Sequence, residues 1–329
     1  MRLPAFEYHA PDSLDKALKI KASFGTSATI LAGGTDVVVN LKHRLLAPAV
    51  VLSLKNIKEL RGIHVKPDAV VVHAGTSLHD TASHEAIQRH FPILKKAIDS
   101  IGALGIQHFR GTMGGNLCLT PRCIMYNQSY YWRTSKGTCH RTGGKDCLVL
   151  KGSESCQAIC SADTVPVLTA LSAQLTIAGA SGTRILPVSD FFTGKGESPF
   201  RLTPDELVTE IRIPLPWSPF SWSYQRLSMR AAVDFPLINA AAMAIVEKGK
   251  VETFRLVVSA AGPAPIVLRD AETLIKGQAP SPEMLDQVKH IAMKAVEGVM
   301  VENATQSKEY RTKMAGVMAA RATREALGL

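Results

Sequence analysis

All six cysteines of this 329-residue chain fall within 43 residues, Cys118 to Cys160, and neither flank contains a thiol. In so long a chain, a dense local group of cysteines argues against a disulfide scaffold and for a metal or cluster site. The window has little apolar periodicity and carries an aromatic knot at Tyr130-Tyr131-Trp132. It reads as an ordered insertion, and a weakly cored unit of this size needs a staple. The spacing is Cys118-x4-Cys123-x15-Cys139-x7-Cys147-x8-Cys156-x3-Cys160. That is neither the tandem C-x2-C of a zinc ribbon nor a ferredoxin C-x2-C-x2-C run. Thiols without acidic company favour a soft site, iron–sulfur or zinc, and His140 beside Cys139 keeps a Cys3His zinc arrangement open.

The composition of the whole chain is that of an ordinary globular protein: 46% hydrophobic, 20% charged, 6% aromatic. Collagen-like, disordered and coiled-coil classes are excluded, and the length suits two domains with a sizeable core. The net charge of +10 is spread thinly along the chain, with no block of five like charges. A nucleic-acid stripe would be clustered and interleaved with aromatics, so no nucleic-acid partner is expected. Within 117–160, Lys and Arg outnumber Asp and Glu by six to two, which suits an acidic partner. No apolar run is long enough to span a membrane. The opening MRLPAFEYHAPDSL lacks the apolar stretch of a signal peptide, so a cytoplasmic location is expected.

Local patterns order the chain. Ser13 is placed to cap a helix over 11–24, and Ala28–Ala32 and Ala49–Leu54 read as buried strands flanking a short helix. This β–loop–α–β order predicts a small parallel sheet. A strand over 69–75 leads to Thr76-Ser77, a capping pair for a helix through the eighties. Pro92 opens another helix. Leu207–Ile213 reads as a strand, and Pro214-Leu215-Pro216-Trp217-Ser218-Pro219 marks a domain boundary. Beyond it, Ser221–Arg230, Leu237–Glu247 and Val251–Ala261 predict three antiparallel strands, with Lys248-Gly249-Lys250 as a hairpin. Helices follow near 269–276, 282–299 and 306–327.

Two glycine pairs, Gly33-Gly34 and Gly114-Gly115, sit in loops. Adjacent glycines admit close approach of a bulky anion, and freed N–H groups with a hydroxyl such as Thr35 or Thr112 form a phosphate nest. Neither loop fits the G-x-G-x-x-G or P-loop pattern, and a plain tight turn accounts for either one alone.

Taken together, Leu31-Ala32-Gly33-Gly34-Thr35-Asp36 and Gly111-Thr112-Met113-Gly114-Gly115-Asn116-Leu117 resemble the two FAD-pyrophosphate loops of the flavoprotein subunit of molybdenum hydroxylases, the xanthine dehydrogenase and CO dehydrogenase medium-subunit family. Three later stretches are similar too: Ser161 to Pro166, Asp190-Phe191-Phe192-Thr193-Gly194 with Asp205 to Val208, and Arg230 through Asp234-Phe235-Pro236. The resemblance implies an α+β fold. A vanillyl-alcohol-oxidase (PCMH-type) FAD-binding domain would span 1–216, with α/β lobes of about 1–56 and 57–216. A C-terminal domain of a three-stranded antiparallel sheet and helices would span 217–329. It implies FAD contacts at Leu31, Ala32, Gly33, Gly34, Thr35, Asp36, Thr112, Gly114, Gly115, Asn116 and Asp163, with Leu207 and Val208 packed on the isoalloxazine. From the residues alone, Asp163 and Asp36 are equally helix-capping candidates.

Against that family the chain carries an insertion over about 119–157. It resembles the insertion of the 4-hydroxybenzoyl-CoA reductase β-subunit subfamily, where four cysteines hold an extra [4Fe–4S] cluster. The matching positions are Cys123, Cys139, Cys147 and Cys156, while Cys118 and Cys160 flank them. The resemblance implies an oxidoreductase subunit with no catalytic acid, base or nucleophile of its own. It would relay electrons from a ferredoxin-type donor through [4Fe–4S] and FAD to a small [2Fe–2S] subunit and a large molybdopterin subunit, in an (αβγ)2 heterohexamer. The rival readings are an FAD subunit of another molybdenum hydroxylase (aldehyde, xanthine or CO dehydrogenase type), a stand-alone FAD oxidase with a structural zinc knot, and a zinc-stapled nucleic-acid module.

Overall fold

A computed structural model describes residues 2–329. The first lobe comprises β1 (Glu7–His9), α1 (Leu14–Phe24), β2 (Ala28–Leu31), α2 (Val37–Lys42) and β3 (Val50–Ser53). Its three strands are parallel in the order β1-β3-β2. The central β3 is wholly buried, as expected of an apolar parallel strand. Ser13 caps α1 by accepting from the Lys16 N–H, and Gly25, at φ +51°, ends it.

The second lobe runs through β4 (Ile63–Lys66), β5 (Ala69–His73), α3 (Leu78–Ser83), α4 (Glu85–His90), α5 (Pro92–Asp99), α6 (Met113–Leu117), α7 (Tyr130–Ser135), α8 (Thr164–Ala170), β6 (Gln174–Gly179), β7 (Gly182–Pro187), α9 (Val188–Phe191) and β8 (Leu207–Pro214). Its five strands are antiparallel in the order β4-β5-β8-β6-β7. α5 and α8 cover one face, and Val70, Val72, Leu94, Ile98, Leu168, Leu175 and Ile211 form the core between them. Ser77 caps α3 through its hydroxyl, 2.9 Å from the Asp80 N–H.

The C-terminal domain holds β9 (Ser221–Leu227), β10 (Ile238–Glu247), β11 (Lys250–Ser259), β12 (Ile266–Val267), α10 (Arg269–Ile275), α11 (Glu283–Glu297) and α12 (Lys308–Leu327). The sheet has four strands in the order β12-β11-β10-β9, where the sequence predicts three. The extra strand is two residues long, pairs only with Val257 and Val258, and follows Pro263 and Pro265, so it leaves no periodic trace. α11 and α12 pack on the opposite side of this sheet from the first two lobes, through Val288, Ala292, Val296, Ala315, Ala319 and Ala322. Among the described residues no helix is long and apolar enough to cross a membrane.

One cation staples this domain. Arg311 is fully buried and donates to the carbonyls of Leu237 (3.1 Å), Ala260 (2.6 Å) and Val301. Burial lowers its pKa to about 10, which leaves it charged at neutral pH. Arg311→Ala would leave three buried carbonyls without this donor, so we expect a loss of about 1–3 kcal/mol for each that stays unpaired, read as a drop in urea midpoint.

Candidate functional site

A cleft of about 580 Å3 lies between the two lobes and is closed on one side by residues 230–235 of the C-terminal domain. Its floor is the first glycine loop, where the chain leaves β2 and turns into α2. Gly34 takes a left-handed φ of +81°. Gly33 is required for a different reason: a Cβ there would stand 1.7 Å from the Arg110 carbonyl oxygen. The loop of lobe one thus touches the chain leading into the second loop backbone to backbone. The N–H groups of Gly33, Gly34, Thr35 and Asp36 find no acceptor within the described residues. Four free N–H groups in a turn form an anion nest.

The second glycine pair, expected in a loop with free N–H groups, lies instead in the first turn of α6, and the donors of this second segment are satisfied within the protein. Met113 N–H donates to Thr76 O (2.9 Å) and Gly114 N–H to Ala74 O (2.8 Å), while the Thr112 hydroxyl caps α6 by accepting from Gly115 N–H (3.0 Å). A Cβ on Gly114 would meet the Ala74 Cβ at 2.7 Å. Asn116 Oδ1 accepts from the Thr164 hydroxyl at 2.6 Å, tying the loop to α8. This loop is a rigid backstop, and the first is the open donor.

Ala32, Gly33, Gly34, Thr35, Asp36, Thr112, Gly114, Gly115, Asn116, Asp163, Leu207 and Val208 all line the cleft; Leu31, in β2, does not. Neither aspartate caps its helix through the side chain. Asp36 pairs with Arg122 and accepts from Asn40 Nδ2 at 3.0 Å. Asp163 is buried and accepts from the Tyr224 hydroxyl (2.7 Å) and Arg226 Nε (2.9 Å), both in β9, so it joins the two domains. Burial pushes the carboxyls of Asp163 and Asp36 up, against the opposing pull of Arg226 and Arg122, and it raises the Tyr224 hydroxyl well above its ordinary value. Sequence reasoning missed Arg122, Tyr224 and Arg226. Only for Arg122 was there a local signal: an arginine between the glycine loop and the first cysteine of the insertion.

The insertion leaves and rejoins the lobe through an antiparallel bridge, with Arg122 and Ile159 exchanging N–H···O bonds of 2.8 and 2.7 Å. Cys123, Cys139, Cys147 and Cys156 line one apolar cavity of about 10 Å3, together with Tyr126, His140 and Arg141. The thiols therefore gather around one small space, yet no three of the chain's described Cys, His, Asp and Glu groups are arranged to hold a metal ion. The donor set, four thiols in an apolar wall with no carboxylate, suits a soft cluster chemically, while the cavity admits only a water-sized guest. His140 Nε2 is engaged by the Ser153 carbonyl at 3.0 Å. Arg141 stacks 3.8 Å over the Tyr126 ring and donates to Pro121 O. Cys118 lines the cleft, whereas Cys160 sits in the core of the second lobe. Burial raises the Cys118 thiol to about 12 and the Cys160 thiol to about 11.

Residues 4–216 match the family described as FAD binding domain in molybdopterin dehydrogenase, and residues 223–326 match the CO dehydrogenase flavoprotein C-terminal domain. The chain belongs to this flavoprotein family. It is an FAD-binding medium subunit of the molybdenum hydroxylases and an oxidoreductase subunit. The flavoprotein is 27% identical over 323 residues to the caffeine dehydrogenase subunit beta of Pseudomonas sp. strain CBB1, covering 98% of this chain and 95% of that one. It is 26% identical over 320 residues to the carbon monoxide dehydrogenase medium chain of Hydrogenophaga pseudoflava, covering 97% and 96%. The reconstituted CO dehydrogenase of Oligotropha carboxidovorans superposes with a TM-score of 0.81 at 25% identity, covering 100% and 99%. The two-domain α+β fold is that of the CO dehydrogenase medium chain.

The cleft fits FAD on its own terms: its volume is within the range of cofactor sites, its floor offers free N–H donors, and Leu207 and Val208 supply an apolar wall. Gly33→Ala must push the loops apart, at about 1–3 kcal/mol for a buried methyl insertion. We expect a folded protein, by circular dichroism, that retains roughly tenfold less flavin by its absorbance. In the folded, reduced chain at pH 8, Cys118 and Cys160 should stay unlabelled by iodoacetamide over times that label an ordinary exposed thiol, because their thiolates are disfavoured until the pH approaches about 11.

Proposed function

We propose that this flavoprotein is the electron-relay subunit of a molybdenum enzyme that reductively removes the para hydroxyl of 4-hydroxybenzoyl-CoA. The supporting observation is positional. Cys123, Cys139, Cys147 and Cys156 share one apolar cavity on an insertion that grows from the second glycine loop and is ion-paired to the first through Arg122 and Asp36. In this reading the four cysteines move apart to hold a [4Fe–4S] cluster, which is larger than the space now between them, and the chain accepts electrons from a ferredoxin-type donor. Its partners are a small [2Fe–2S] subunit and a large molybdopterin subunit in an (αβγ)2 assembly. FAD exchanges electrons singly or in pairs and an iron–sulfur cluster exchanges them singly, which is the chemistry these groups supply when bound.

The chain's own residues bind and orient. Gly33 to Asp36 present N–H donors to the pyrophosphate, Asn116 and Thr164 brace the second loop, and Leu207 and Val208 keep water from one face of the ring. The six-to-two excess of basic side chains in 117–160 suits an acidic electron carrier. A second reading, an oxidising molybdenum hydroxylase, is favoured by the dehydrogenases among the relatives: caffeine dehydrogenase and CO dehydrogenase.

Iron, acid-labile sulfide, zinc and flavin assays of the purified chain, with EPR of the reduced form, discriminate. We expect about four iron and four sulfide per FAD, the [4Fe–4S] stoichiometry. Cys147→Ser should lose the cluster signal and keep FAD, and Cys160→Ser should keep both. Zinc without sulfide would overturn the cluster, and a complete assembly that oxidises its substrate but cannot reduce 4-hydroxybenzoyl-CoA would favour the second reading.

A further inference from the structure

We infer that Arg122 is a cofactor-binding residue contributed by the cysteine insertion, and that it selects the phosphate-bearing dinucleotide over the bare flavin. The inference uses the FAD assignment and is independent of the relay reading. Arg122 lines the cleft, and three parts of the molecule hold it there. Its Nη2 donates to Asp36 of the first loop, its guanidinium lies 4.9 Å over the Phe235 ring of the C-terminal domain, and its backbone is locked by the bridge to Ile159. Yet its hydrogen bonding is incomplete. No protein group accepts from Nη1, and Nε is out of contact with solvent without a partner. Arginine carries five N–H donors in a rigid fork, and fixing that fork while leaving donors unused suits a site whose acceptor arrives with the ligand.

The charges around the cleft point the same way. Its wall contains four carboxylates, Asp36, Asp163, Glu206 and Asp234, and two cations, Arg122 and Arg230. Asp163 is neutralised by Arg226 and Glu206 by Arg184. Arg230 is 68% exposed and lies 3.9 Å from Asp234. That leaves Arg122 as the cation that is both held in the wall and supplied with a spare donor. The nest N–H groups carry no net charge, and Asp36 sits in the same loop. A pyrophosphate settling there needs a fixed positive charge beside Asp36, and Arg122, with N–H donors left over from its pair with Asp36, is the group that can supply it.

The test titrates the flavin-stripped full-length chain with FAD and, separately, riboflavin, following flavin fluorescence. Arg122→Gln should weaken FAD binding by roughly 10- to 100-fold, the worth of one charge-assisted hydrogen bond, and leave riboflavin within about twofold of wild type. Arg122→Lys keeps the charge facing Asp36 but loses the fork, and should fall between the two. If Arg122→Gln does not fold, Arg122→Lys decides alone: weaker FAD with unchanged riboflavin supports the assignment. FAD binding at wild-type strength in either folded variant overturns it. An equal loss for FAD and riboflavin also overturns it, since a scaffold residue would disturb both ligands alike.

Discussion

The close contact between the Gly33 backbone and the Arg110 carbonyl governs the site. No side chain fits between them, so the two lobes meet there as bare backbone. Two consequences follow. The parallel sheet of the first lobe ends against the second lobe with its loop N–H groups turned out of any ladder, hence unpaired and available. The second glycine segment, pressed on Ala74 and Thr76 of its own lobe, spends its N–H groups on their carbonyls and on Thr112. One contact therefore divides two segments that look alike in sequence: one keeps its N–H donors free, the other fixes where the first can sit.

The domains are joined by the same economy. Asp163 takes both the Tyr224 hydroxyl and the Arg226 guanidinium on one oxygen, while the Cys160 N–H donates to Gly262 O at 2.9 Å. These bonds run from the stretch that closes the insertion to the C-terminal sheet. Truncating either partner of such a buried pair leaves the other uncompensated, which costs more than the pair itself contributes. The position of the C-terminal domain over the cleft thus rests on a carboxylate that also lines the cleft.

What was legible in the sequence is what is local. Ser13 and Ser77 cap the helices assigned to them, Lys248-Gly249-Lys250 turns the β10–β11 hairpin, and the 3.6-residue period of α11 buries Leu285, Val288, Ala292 and Val296. What was not legible pairs residues far apart in the chain. Asp36 offered itself as a helix cap because a cap needs only its neighbours, whereas its partner Arg122 lies 86 residues on. Asp163 is 63 residues from Arg226. Neither partner carries a periodic or turn signal, so nothing short of the fold brings them together. The strand β12 is a smaller case: two residues after two prolines become a strand only because β11 has an edge to offer them.

The insertion carries the same lesson into electrostatics. Arg141, stacked on Tyr126, lines the cavity of the thiols beside Met125, Leu148 and Val149. That cation favours the ionised forms of Cys123 and Cys156 against the burial that raises both thiols, and it also favours the ionised form of Asp36 in the cleft. One guanidinium is therefore felt on both sides of the boundary between cavity and cleft. Charges in a partly buried region are weakly screened, so the arginines of the insertion act on the thiols and on Asp36 alike. The larger pull on Asp36 is that of Arg122, with Arg141 the weaker of the two arginines, and both belong to the insertion. Placing the cysteines on this insertion, rather than elsewhere on the surface, sets them beside the segment that carries Arg122 to Asp36 and Arg141 to the thiols.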